Sequence, residues 1–183
     1  MFKLSSAMVA LVGMVLGAST TLAADKVMVN GVAVYQKPPS AYELAKTLFP
    51  PKRRSVVLNN EGKAPQQEVG SVAFMIKFKY DSTQVLPDSL EYLDALGDML
   101  NFKQLKDKPL MIEGHADASG DSQYNMSLSE ARAQAIKQYL TSVHRIKPDR
   151  LYTQGFGETK LLDSQHPGAQ VNRRAEFRTM EDG

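Results

Sequence analysis

Cysteine is absent from all 183 residues. That excludes disulfides and thiol chemistry, and it leaves no cysteine to carry a lipid anchor. An excess of one charge sign is also lacking: 22 Lys and Arg against 20 Asp and Glu give a net charge of +2. A chain so near neutrality has no concentrated basic face of the kind a nucleic-acid partner requires. Beyond the first residues, no apolar run is long enough to cross a bilayer. Internal repeats and low-complexity tracts are missing as well.

What is present begins with MFKLSSAMVALVGMVLGASTTLAADKV. One early cation (Lys3), an apolar stretch from Ala7 to Leu16 and small residues ending in Ala23-Ala24 make the pattern of a cleaved secretory signal peptide, residues 1–23. The expected product is an exported protein. Its net charge is one less than that of the full chain, because only Lys3 is removed. Roughly 160 residues remain, enough for one packed domain and an accessory piece.

Residues 24–58 are expected to form that small accessory region. VMVNGVAVY alternates valines about Asn30-Gly31, a strong hairpin signal. Ser40 and Glu43 make a capping box for a short helix stopped by Pro50-Pro51. KRRSVVL supplies one further strand, its Lys52-Arg53-Arg54 cluster read as solvated surface. Residues 59–70 are polar and form a linker.

From residue 71 to 183 the periodicity predicts one α+β domain. SVAFMIKF is a strand; Pro87 precedes a helix with leucines at 90, 93, 96 and 100 on one face. A second strand runs from about Leu110 to Glu113. A long helix follows from Asp121, its N-cap, to about Val143, with Tyr124, Leu128, Ala131, Ala135 and Tyr139 on its core side. RLYTQGFGE and NRRAEFRT complete a mixed four-stranded sheet in β-α-β-α-β-β order. The helices cover one face of it, giving a two-layer sandwich.

The chemistry is expected where the second strand feeds the long helix. Asp117 lies in that loop, and such strand-to-helix edges are where open α/β sheets bind ligands. Asn125, Ser129 and Arg132 fall on one helical stripe, and helical side chains lean toward the N-terminus, so Arg132 is aimed back at the loop. A carboxylate and a guanidinium so placed suit a zwitterionic amino-acid head group, ammonium on Asp117 and carboxylate on Arg132. Spacing alone leaves open a direct Asp117–Arg132 ion pair.

FKYDSTQVLPDS, IEGHADASGDSQYNMSLSEARA, LYTQGFGE and NRRAEF, in this order, resemble the OmpA-like peptidoglycan-binding domain over most of residues 71–179. The resemblance implies non-catalytic binding of the diaminopimelate residue in the stem peptide of Gram-negative peptidoglycan. It implies that Asp117 and Arg132 take the amino-acid head group, with Asn125, Ser119, Asp81 and Arg173 in secondary contact. Ala116 departs from the family's usual threonine and removes one loop hydroxyl. The stretch between the expected cleavage site and residue 71 is too short for even an eight-stranded barrel, which needs about eight strands of ~10 residues.

Other clusters carry less. His115, Asp117 and Ser119 alternate but give no sign of triad geometry. His115 is expected to bond to backbone and shape the loop. His115 and Asp117 would make only two metal ligands, and His144 and His166 lie at no compatible spacing, so neither a metal nor a cofactor is expected. Gly155 and Gly157 allow a tight strand exit, with Glu158 bracing the adjacent loop. The expected partners are peptidoglycan, an outer-membrane or envelope protein met through residues 24–58, and a second copy in a homodimer. An alternative is a periplasmic adaptor or assembly protein whose N-terminal region docks to an envelope complex, wall contact being secondary.

Overall fold

The computed structural model describes residues 25–50, 70–80 and 82–180. The expected signal peptide, the KRRSVVL strand, the linker up to residue 69 and Asp81 lie outside the described residues.

Strands β1 (Lys26–Val29) and β2 (Val32–Tyr35) form the expected hairpin. Its two turn residues, Asn30 and Gly31, have φ of 49° and 82°, the left-handed pair that matches the twist of the flanking strands. Helix α1 (Ala41–Leu48) starts at the Ser40–Glu43 capping box, and both halves of the box are formed. Then come β3 (Ser71–Phe74), a 3-10 turn beginning at Pro87, and α2 (Leu90–Leu100). Strand β4 (Leu110–His115) leads to α3 (Ser122–Ser142), capped by Asp121 through the Tyr124 N–H at 2.7 Å. Strands β5 (Leu151–Gly157) and β6 (Ala175–Thr179) close the fold.

Among the described residues the sheet has six strands, not the expected four, in the order β1-β2-β3-β6-β4-β5. The two additional strands are the hairpin. β2 runs parallel to β3, with Ala33 opposite Val72 and Tyr35 opposite Phe74. The reason lies in VAVY, which is buried at every position. A strand apolar on both faces needs cover on both sides and a neighbour at its edge, which a free-standing hairpin does not provide.

One face of the sheet and helices α1, α2 and α3 share a core. Phe74, Ile112 and Phe177 from the strands meet Leu44, Leu48, Leu93, Leu96, Ile136 and Leu140 from the helices. The Phe74 and Phe177 rings lie 5.1 Å apart, tilted by 48°. On the opposite face Val32, Val34 and Ala73 pack against Leu162 from the long β5–β6 connection. Among the described residues, no helix is long and apolar enough to cross a membrane.

Helix α3 turns a different face inward from the one its periodicity suggested. Asn125, Ser129, Ala133, Ile136 and Leu140 are buried, and Tyr124 is 49% exposed. The strands explain the rotation. A Cβ at Gly114 would collide with the Ser129 carbonyl, one at Gly155 with the Glu130 backbone, and one at Gly157 with the Met126 backbone. A glycine floor lets the helix backbone settle directly on the strands, so small polar side chains occupy the contact. Gly155 therefore admits the helix; Gly157, at φ 51°, both admits it and makes the strand exit.

Candidate functional site

The loop from β4 to α3 is built around Asp117. One of its carboxylate oxygens, Oδ1, accepts the Ser119 N–H at 3.0 Å, a local turn that fixes the side chain. The other, Oδ2, accepts Nη1 of Arg173, which arrives on the segment entering β6. Asp117 is only 7% exposed, whereas half of the Arg173 side chain faces solvent. Burial alone would raise the Asp117 carboxyl. The Arg173 guanidinium and the Ser119 N–H and hydroxyl outweigh it and keep the group below its ordinary value.

Asn125 braces the loop from below. Its buried amide nitrogen lies 2.9 Å from the Ser119 carbonyl, 3.3 Å from that of Asp117, and 2.8 Å from Glu158 Oε2. With two hydrogens shared among three acceptors, the amide is committed to the protein itself. Ser129, one turn on, accepts the Gly157 N–H at 2.9 Å and donates to the Met126 carbonyl at 2.8 Å. Thus Asn125 and Ser129, expected on a ligand-facing stripe, stitch α3 to the end of β5.

Arg132 stands on the same helix, half-buried. Its guanidinium carbon sits 4.7 Å from the centre of the Phe78 ring, and Nε lies 3.4 Å from the Ser82 carbonyl. The ring supplies an attractive negative face for the cation. Arg132 and Arg173 line one narrow cleft of about 30 Å³, floored by Gly114 and Ser129. That is room for a water molecule rather than an amino acid.

Four of the six expected site residues thus form one network: Asp117, Ser119, Asn125 and Arg173. Arg132 borders the cleft from the other side, and Asp81 lies outside the described residues. The guanidinium that answers Asp117 belongs to Arg173. Phe78 beneath Arg132 escaped the sequence reading; its place three residues before Asp81 in FKYD was the available signal.

His115 does not bond to backbone through its ring. The ring stacks on Phe156, centroids 5.4 Å apart, on the side of Glu113 and Glu176. Arg174, next to Arg173, is buried and donates to Glu176 Oε2 at 2.9 Å. One arginine of the pair faces the site and the other the interior, as alternation along an extended segment requires.

Known proteins resemble this chain in sequence or in fold. Outer membrane porin F of Pseudomonas aeruginosa is 30% identical over 124 residues, 67% of this chain and 35% of the porin. The Peptidoglycan-associated lipoprotein of the same organism is 31% identical over 105 residues, 55% of this chain and 59% of the lipoprotein. The chain thus matches less than two thirds of the length of either relative. The OmpA-like domain of FopA1 from Francisella tularensis has the same fold, with a TM-score of 0.50 at 21% identity over 62% of this chain and 75% of that one. The model of the OmpA family matches residues 77–175, from the segment after β3 that carries Phe78 to the first residue of β6. On the strength of that match, the chain belongs to the OmpA family.

Proposed function

We propose that this chain is a non-catalytic binder of cell-wall peptidoglycan, recognising the amino-acid head group of diaminopimelate and helping to tether the Gram-negative envelope. The observation that carries the reading is Asp117, held ionised by a half-exposed Arg173 at the edge of a cleft walled by Arg132. A zwitterion can exchange with that internal pair. Its ammonium takes the place of Arg173 at Asp117 Oδ2, while its carboxylate engages the guanidinium groups. The guest brings one charge of each sign, so the exchange leaves no buried charge unanswered. Withdrawal of Arg173 also opens the narrow cleft. Asn125, Ser119 and Ser129 keep the loop in place during the exchange. Asp81 is assigned as a further contact on the strength of its family position.

The name of the Pseudomonas lipoprotein, peptidoglycan-associated, supports the ligand class. The outer-membrane name of the porin supports an envelope location, which for this chain is read as periplasmic and peripheral. No bond needs to be broken, and His115 faces Glu113 and Glu176 rather than Ser119. Each charge-assisted hydrogen bond contributes about 1.5–3 kcal/mol, so a single stem peptide is held modestly. A wall that repeats the ligand, or a homodimer that presents two sites, turns modest contacts into firm attachment.

The test uses purified sacculi. Folded Asp117→Ala and Arg132→Ala variants are expected to stay in the supernatant where the unaltered chain pellets, and no muropeptides are released. Pelleting of both variants at the unaltered level overturns the site; muropeptide release overturns the non-catalytic reading.

One observation favours the adaptor reading beside this one. β1 is one of the two edge strands among the described residues, and Val27 and Met28 on it are 47% and 60% exposed. An apolar open edge is a place where a partner strand can add. Val27→Lys with Met28→Lys is expected to abolish capture of an envelope protein while leaving wall pelleting intact.

A further inference from the structure

On the sheet face turned away from the helices, Glu113 of β4 lies directly opposite Glu176 of β6 in the antiparallel register. Residues so paired point to the same side, and two like charges there repel. Both are buried, with 6% and 5% exposure. His115 follows Glu113 by two positions and shares its face. The His115 Nε2 is 3.7 Å from Glu113 Oε2 and 3.8 Å from Glu176 Oε2.

His115 is the feature that secondary structure does not explain. Its side chain is 1% exposed, yet neither ring nitrogen makes a hydrogen bond. Buried polar groups of native proteins are rarely left in that state, and each exception calls for a reason. Stacking on Phe156 fixes the ring plane, and its Nε2 is aimed between the two carboxylates. The three donor atoms lie within 4.8 Å of one another.

We propose that Glu113, His115 and Glu176 form a site for one divalent transition-metal cation, of which Zn²⁺ best matches the donors. One imidazole nitrogen and two carboxylate oxygens are zinc ligands. An ion about 2.1 Å from each donor in tetrahedral geometry spaces the donors about 3.4 Å apart, so only small shifts close the site. Outer partners are already in place: Ser71 Oγ donates to Glu176 Oε1 at 2.7 Å, Arg174 to Glu176 Oε2 at 2.9 Å, and Arg178 lies 3.7 Å from Glu113 Oε1. Such contacts orient ligating carboxylates. The Arg174 charge also disfavours ions held by electrostatics alone, and Mg²⁺ and Ca²⁺ need more oxygens than the cluster offers. The ion would tie β4 to β6 just behind the peptide-binding loop, two residues from Asp117 and three from Arg173.

The full chain, stripped with a chelator, is given ZnCl₂ at neutral pH, desalted, and assayed for metal content and melting temperature. The expected result is one retained zinc per chain and a Tm that rises with zinc but not with MgCl₂. Glu113→Gln and His115→Gln, each shown to be folded by circular dichroism, should lose both effects. A His144→Gln, His166→Gln double variant should keep them, since those histidines sit beside surface carboxylates that attract zinc adventitiously. No retained zinc, undiminished retention in a folded cluster variant, or loss in the surface variant overturns the site. If neither cluster variant folds, the His115 ring nitrogens of the unaltered chain decide by NMR: zinc must shift Nε2, and an unmoved resonance overturns the proposal.

Discussion

Asp117 and Arg173 stand 56 positions apart in sequence, and the guanidinium of one closes on the carboxylate of the other. The contact joins the β4–α3 loop to the segment entering β6. It also keeps a nearly buried carboxylate charged, which a site for an ammonium group requires.

That pairing has a pH signature. The Asp117 carboxyl lies below its ordinary value of 3.8. Its ionised form therefore favours the folded state above that value, and the contribution is lost as pH falls through the folded pKa. Arg173→Ala removes the guanidinium but leaves the burial, so the carboxyl is expected to move upward. A ¹³C NMR titration of Asp117 should show the rise, together with an acid unfolding transition at higher pH than in the unaltered chain. An unmoved titration would mean that Arg173 does not control the charge of Asp117.

The glycine floor makes a second prediction. Gly114→Ala drives a methyl group into the Ser129 carbonyl, a backbone atom that cannot swing aside. The cost is expected at or above the ~1–3 kcal/mol of ordinary overpacking, with α3 lifted and Asn125 drawn off the loop. Gly31→Ala meets open space but keeps φ at 82°, for about 1–2 kcal/mol. Urea melts should rank the two, and only Gly114→Ala should also weaken pelleting with sacculi.

Phe177 lies at the centre of the core, fully buried against Phe74. Phe177→Ala should cost about 3–5 kcal/mol in a denaturant melt. A smaller loss would show that the helices collapse onto the gap.

Removing residues 25–36 is expected to damage the fold rather than detach an accessory. The deletion bares the edge of β3 and strips Ala33 and Tyr35 from the shared core. The predicted outcome is a lower, broader thermal transition. An unchanged melt would make the hairpin an independent module.

Local signals carried most of the architecture. Asn30-Gly31, the Ser40–Glu43 box, Pro87 and the Asp121 cap each act over a few residues, and each stands in the structure where the chain chemistry puts it. The hairpin's place in the sheet was less legible, because β2–β3 pairing joins residues across a long segment and leaves no local pattern. The inward face of α3 was misread for a related reason. Periodicity ranks side chains by apolarity, but the contact is set by glycines on β4 and β5 that the helix sequence does not contain. At the site, Asp117, Asn125 and Arg173 lie in one hydrogen-bonded network. That Arg173 answers Asp117, and that His115 points at Glu113 and Glu176, depends on which face each strand residue takes at a strand end where the register shifts between Gly114 and His115.

Competition on intact sacculi tests the central claim most directly. The purified chain is incubated with diaminopimelate-type sacculi, with and without free diaminopimelate, and the pellet is assayed. The account predicts that the chain pellets with the wall and that the free amino acid returns it to the supernatant in proportion to its concentration. A chain that stays soluble throughout, or one whose pelleting ignores a large excess of diaminopimelate, would contradict it.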